Sequence, residues 1–269
     1  MLRMEGQYAI GAYALAGWMA LYLLISLALR CWNRTKDLSD LHRAHVTEGF
    51  VSGVQGIACG LVGLVIVYTC WHDVMGAKMN LAFTYSSIGT AYFYYDLWAM
   101  YYSNSLKLVG ASFIKRFISY LCSQPLMIAH HMVIIVLLFP AMVYHSPMGH
   151  FFVGCFFCTE LSTPFVNARI IMSRIGLKSS KIYIANGFLM LILFSMCRVA
   201  LFPIMYAVYL SQQTKTPSHI QALIDIPIKC HLSCAVVLAP QLYWLNLMVR
   251  GAVTILKKDA PTALMEKYD

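Results

Sequence analysis

The sequence predicts an all-α polytopic membrane protein, and three observations lead there. Of its 269 residues, 60% are hydrophobic and only 12% charged, against about 25% charged in an ordinary soluble domain. The apolar residues gather in runs of roughly 20, the length a helix needs to cross about 30 Å of hydrocarbon. The basic residues fall between those runs and mostly on one side. A formal charge of +9 is then a matter of orientation and anionic headgroups, not of nucleic acid, which we discount as a partner.

About seven spans follow from the hydropathy, at approximately 7–31, 48–70, 80–102, 125–145, 150–172, 183–210 and 228–250. The first is long and lacks a small-residue cleavage site, which reads as a retained signal-anchor. Only HSPMG separates the fourth from the fifth, so that hinge must be tight. On one side lie Arg30, Arg34, Lys36, Arg43, Lys107, Lys115, Arg116, Arg169, Arg174, Lys178, Lys181, Arg250, Lys257, Lys258 and Lys267; the other keeps Arg3, Lys78, Lys215 and Lys229. By the positive-inside rule the N-terminus is lumenal and the C-terminus cytosolic. The acceptor pattern Asn33-Arg34-Thr35 then lies on the cytosolic side and is expected to be unmodified.

Cysteine and histidine usage narrows the chemistry. Nine cysteines, nearly all within spans, do not make a secreted disulfide framework. Cys155 and Cys158 form a CxxC without a second thiol pair or a nearby histidine, so they read as small packing residues and not as zinc ligands. His42, His45, His72, His150 and His231 fall on both predicted sides, which disfavours a diiron site built from clustered His boxes. No metal is expected, and the usual receptor motifs are missing. Intramembrane acids and histidines also build proton relays, which keeps transport open as a class.

The fourth span, PLMIAHHMVIIVLLFP, carries the adjacent pair His130 and His131. Lipid offers an imidazole no water, so such a group needs a cavity or a partner. Neighbouring helix residues point about 100° apart, so the two cannot share one task. Apolar surroundings favour the neutral imidazole, a competent general base or nucleophile. In the fifth span Glu160, Thr163, Pro164 and Asn167 fall at i, i+3, i+4 and i+7, along one helix face. Pro164 cannot donate to the carbonyl of Glu160, which frees an acceptor and predicts a kink beside the acid. Arg198 in the sixth span is the obvious partner for Glu160. Asp96 with Tyr92 one turn earlier marks the third span, and Gln241 the seventh. Scattered lipid-facing polar groups are not tolerated, so these should converge on one internal cavity.

These residues resemble a known family. The HH pair followed by an acid on the next span looks like the TLC domain. GHFFVGCFFCTELSTPFVNARIIM, CRVALFPIMYAVY and LAPQLYWLNLMVRGAV are similar to the TLC domain-containing protein 3 subgroup, also called the family with sequence similarity 57. The resemblance implies an N-terminal transmembrane helix and cytosolic loop over 1–45, a TLC domain over 46–255 and a cytosolic tail over 256–269. It implies six helices in a barrel around a lipid cavity, with the first span outside. Ceramide synthases share this domain, so the resemblance implies sphingolipid N-acylation in the endoplasmic reticulum or Golgi, with acyl-CoA as co-substrate, a sphingoid base as acceptor and no cofactor. His130, His131 and Glu160 would be catalytic, with Asp96, Tyr92, Thr163, Asn167, Arg198 and Gln241 lining or supporting the cavity. Arg169, Arg174, Lys178 and Lys181 would meet the CoA phosphates. Membrane lipids are the implied partners, with room for homo-oligomers or assembly with other TLC chains. The second reading is a non-catalytic lipid-binding or regulatory protein of this family. Where ceramide synthases carry paired aspartates, this chain has Glu160 followed by Ser162 and Thr163.

Overall fold

The computed structural model describes residues 2–33, 35–138, 148–212 and 218–256. Arg34, Lys215, Lys257, Lys258 and Lys267, the predicted tail beyond residue 256 and most of the HSPMG hinge lie outside the described residues. Every regular element among the described residues is helical: α1 (Leu2–Cys31), α2 (Asp40–Cys70), α3 (Asn80–Ser105), α4 (Phe113–Ser123), α5 (Pro125–Val133), α6 (His150–Cys158), α7 (Thr163–Arg174), α8 (Lys181–Phe194), α9 (Leu201–Gln212), α10 (His219–Ile224) and α11 (Ile228–Leu256).

Local chemistry sets the starts. Ser39, Ser112, Ser180 and Ser218 each accept, through the side chain, from a backbone N–H three residues on, in the manner of N-caps. Pro125 opens α5, where a missing N–H costs nothing. Gly149 precedes α6 at φ +76°, a left-handed conformation that favours glycine, and its N–H donates to Met75 O at 2.9 Å.

Several helices join end to end. α6 and α7 form one rod through a 3-10 turn at Thr159–Ser162, and α8 and α9 form another through a π turn at Ser195–Ala200. Among the described residues, five helical rods are long and apolar enough to cross a membrane, and α4 with α5 makes a sixth if the pair is counted as one span bent by 85°. This is a multi-pass membrane protein. α3 is the difference from the seven-span reading: its 26 residues extend roughly 39 Å, yet its serines, tyrosines and Asp96 keep it below the apolarity of the others. The reason is position. Tyr85, Ser86, Ser87, Thr90, Tyr92, Tyr95 and Asn104 are buried against neighbouring helices, so polar residues that lipid would reject are tolerated there.

α2 is the central helix, flanked by α1, α3, α6 and α7. α1 lies against α2 and α3, with Trp18 Nε1 donating to Ile88 O at 3.3 Å and Ser87 Oγ to Gln7 Oε1 at 2.7 Å. One apolar core gathers Ile66, Cys70, Val74, Phe151, Cys155, Phe202 and Met205; an aromatic one gathers Tyr22, Val51, Tyr92, Tyr95 and Ala99. Cys155 and Cys158 are both buried, and Cys155 packs in the first core. Thr35 is buried too, its Oγ1 donating to Leu29 O at 2.7 Å.

Small residues on α2 let the α6–α7 rod approach closely. A Cβ at Gly63 would come within 2.7 Å of Cys158 N and Gly154 O, and one at Gly56 within 2.8 Å of Thr163 Cβ. We therefore expect Gly63→Ala to lower stability by about 1–3 kcal/mol, since the obstacle is backbone. Gly53→Ala, with nothing within 4 Å of the new Cβ, should be neutral or stabilising by up to about 1 kcal/mol. Thermal unfolding of the two variants in detergent, side by side, checks both.

Candidate functional site

Between the two cores, α3, α5, the α6–α7 rod, the α8–α9 rod and α11 bring most of the expected polar residues together. Arg198 sits in the π turn of Ser195–Ala200, where an extra residue per turn redirects a side chain; such bulges are frequent at functional sites. Its guanidinium is almost wholly enclosed. Nη2 donates to Glu160 Oε1 at 3.1 Å and to Thr163 Oγ1 at 2.6 Å, Nε to Ser162 Oγ at 2.9 Å, and Nη1 to Gln241 Oε1 at 3.2 Å. Thr163 Oγ1 in turn donates to Glu160 Oε2 at 2.6 Å. The Phe194 ring closes one side at 5.3 Å from the guanidinium carbon. One buried cation thus ties three rods together.

The carbonyl expected to be freed by Pro164 finds a definite partner. The carbonyl of Glu160 accepts from the backbone N–H of Thr163 within the 3-10 turn, so the acceptor that Pro164 cannot serve is satisfied one residue earlier. The polar face predicted from spacing also holds: Thr163 bonds Glu160, and Asn167 Nδ2 donates to Thr163 O at 3.1 Å and to Ser52 Oγ on α2 at 2.8 Å.

The two histidines face different helices. His131 is buried against α3, its ring 5.1 Å from that of Phe93. Its Nδ1 lies 3.5 Å from Asp96 Oδ2, an ion-pair distance when the ring is protonated but too long for a good hydrogen bond. That nitrogen has no hydrogen-bond partner among the described residues. Asp96 accepts from Tyr92 OH at 3.1 Å. His130 is half-buried and meets the edge of Trp244 on α11 at 5.6 Å. Trp244 stands three residues after Gln241, on the same helix face, so α11 joins the Arg198 clamp to His130.

Sequence reasoning did not single out Ser162, Trp244, Phe93, Gln55 or Tyr85. Ser162 falls off the i, i+3, i+4 stripe and reaches Arg198 only because the 3-10 turn rotates it inward. Gln55 Oε1 and Tyr85 OH are buried without hydrogen-bond partners among the described residues, and Tyr85 lies within electrostatic reach of Cys59 and Glu160. Unpaired polar atoms in a low-dielectric interior are costly, so polar atoms of a bound molecule or of water suit these positions. Gln55 carried a signal, as the lone amide side chain of α2, beside Gly56.

The four basic residues expected to meet CoA phosphates are not part of this cluster. Arg169 stacks over the Tyr183 ring at 4.2 Å; Arg174 ends α7, Lys181 begins α8 and Lys178 lies between them. Among the described residues no group of three or more His, Cys, Asp or Glu side chains could hold a metal ion.

Comparisons place this geometry in a family. Residues 45–250 match the family model of the TLC domain. The chain is 27% identical over 188 residues to TLC domain-containing protein 4 of Xenopus tropicalis and to TLC domain-containing protein 4-A of Xenopus laevis, in each case over 70% of this chain and 64% of the relative. It spans, then, a little under two thirds of the length of these curated relatives. No solved structure matches it.

The clamp makes a testable demand. Removing one partner of a buried ion pair strands the other, at a cost of about 3–5 kcal/mol. Arg198→Leu should show that loss in thermal unfolding, and adding Glu160→Gln to it should restore part of the stability. A double variant no more stable than Arg198→Leu would mean that the two charges are not coupled.

Proposed function

The chain belongs to the TLC domain family, and from that premise we propose that it is a membrane N-acyltransferase of the ceramide-synthase type, passing an acyl chain from acyl-CoA to a sphingoid base. The observation that carries this reading is the contact of His131 with Asp96 beside a second, half-buried imidazole, His130. Acyl transfer needs a nucleophile for the thioester carbonyl and an acceptor for the proton that the amine gives up.

In this reading His130 attacks the thioester carbonyl. An acyl-imidazolium forms, its other ring nitrogen keeping its proton, the carbon–sulfur bond breaks, and CoA leaves as thiolate, to be protonated in water. The amine then attacks the same carbonyl. The amide bond forms, the bond to His130 breaks, and the amine proton passes to His131, whose imidazolium Asp96 stabilises from 3.5 Å. Glu160 acts through the Arg198 clamp, holding the α6–α7 and α8–α9 rods around the histidines. Gln55 Oε1 and Tyr85 OH, buried and unpaired, suit the hydroxyls of a sphingoid headgroup. Arg174, Lys178 and Lys181 share the basic face and suit the CoA phosphates; Arg169 is engaged by Tyr183.

The same resemblance that suggests the reaction suggests the endoplasmic reticulum or Golgi as the place, and the one-sided basic residues support a lumenal N-terminus and a cytosolic C-terminus. The finer membership, in the TLC domain-containing protein 3 subgroup, rests on the ELSTPF segment around Glu160. One observation favours a second reading. The Arg198 clamp is satisfied wholly by side chains of the protein, as in a structural ion pair, which suits a non-catalytic lipid-binding member that alters membrane composition.

A single-turnover experiment separates them. Purified protein mixed with labelled acyl-CoA and no acceptor should gain the mass of one acyl chain, and sphinganine should discharge it as the amide. His130→Ala should form no adduct while keeping the wild-type melting temperature. If wild type gives neither adduct nor amide while lipid still co-purifies, the lipid-binding reading stands instead.

A further inference from the structure

α4 belongs to none of the long apolar rods, and its amphipathic pattern asks for a different partner. Its 11 residues extend roughly 16 Å, about half the hydrocarbon thickness. On a helical wheel Phe113, Ile114, Phe117, Ile118, Tyr120 and Leu121 share an arc of about 160°, and Lys115, Arg116, Ser119, Cys122 and Ser123 occupy the rest. Phe113 and Ile114 are each 69% exposed, Ile118 55%, Phe117 43% and Leu121 41%. Tyr120, at one edge of the stripe, is buried against the bundle, and the rest of the stripe is turned away from it.

Its attitude is set from both ends. Tyr120 OH donates to Leu97 O at 3.2 Å, and Asn104 Nδ2 donates to Ser119 Oγ at 3.3 Å. The Tyr101 ring touches Phe113, Phe117 and Tyr120. α5 continues along α3 toward its N-terminus, with His131 against Phe93. The axes of the two segments differ by 85°, with Gln124 alone between α4 and α5. If α5 runs with the bundle, α4 runs across it.

The charge is one-sided. From Leu97 to Thr159 the chain holds no acidic residue, while Lys107 and Lys115 are exposed beside the stripe. We propose that Phe113–Ser123 is an interfacial helix, lying flat in the leaflet on the basic face, its apolar stripe in the acyl boundary and its lysines against anionic lipid headgroups. It is then neither half of a broken span nor a re-entrant loop. The placement also sets the depth of the histidine pair. His130 follows Pro125 by five residues, so it lies roughly 8 Å below the plane of α4, within reach of a molecule still anchored at the headgroups. The proposal stands independently of the acyltransferase reading.

The test uses full-length protein in phosphatidylcholine nanodiscs with or without phosphatidylserine. Trifluoromethyl-phenylalanine replaces Phe113, Phe117 or Leu121 singly, and fluorine relaxation by dissolved oxygen against a water-soluble nickel chelate reads the depth of each. A flat helix gives the three positions a common depth near the glycerol level. A depth that changes progressively from 113 to 121, by up to about 12 Å over eight residues, overturns it. The headgroup part has its own readout: phosphatidylserine should raise the melting temperature of wild type, and Lys107→Glu with Lys115→Glu should abolish that rise. An equal response in both proteins overturns the anionic partner.

Discussion

A cation inside a membrane protein must be paired, and the pairing of Arg198 is the constraint on which this structure depends. A guanidinium offers five N–H groups in a fixed plane, and here four of them go to Glu160, Thr163, Ser162 and Gln241. Those partners lie on different rods, so satisfying the charge fixes the rods relative to one another. Little freedom remains, because any drift that lengthened one of these contacts would expose an unpaid charge to a low dielectric.

Two departures from regular helix make the pairing possible. The π turn at Ser195–Ala200 turns Arg198 inward, and the 3-10 turn at Thr159–Ser162 brings Glu160, Ser162 and Thr163 round to meet it. The 3-10 turn packs directly on α2, a close approach that the missing side chains of Gly56 and Gly63 allow. A second π turn, Ile134–Leu138, follows directly on the histidine helix. Two of the long rods thus depart from regular helix at the places where they bear the polar groups.

Much of this was legible in the sequence, and the illegible part has physical causes. The rods follow from hydropathy because lipid imposes one requirement on every residue facing it. The pairing of Glu160 with Arg198 was foreseeable because lone opposite charges in apolar spans have few alternatives. Asp96 beside His131 was not: spacing orders residues along one helix, whereas this contact depends on how α3 and α5 pack. α3 falls below the apolarity of the other rods because its polar residues answer to neighbouring helices and not to lipid. α4 went unseen because a search for 20-residue runs passes over an 11-residue amphipathic segment. The bond of Ser162 to Arg198 was not foreseen because an ideal helical wheel has no 3-10 turn in it.

The two intramembrane acids are therefore not equivalent, although composition treats them alike. Glu160 has both oxygens committed, one to Arg198 and one to Thr163, and its charge is balanced where it stands. Asp96 accepts from a neutral phenol through one oxygen and points the other at a histidine that has no closer partner among the described residues. A carboxylate already neutralised by arginine contributes rigidity. One that faces an imidazole gains stabilisation only when that imidazole is protonated, and so responds to chemistry at the ring. Whatever reaction or ligand the HH pair serves, Asp96 is the acid that would feel it, and Glu160 the acid that keeps the surrounding helices in place while it happens.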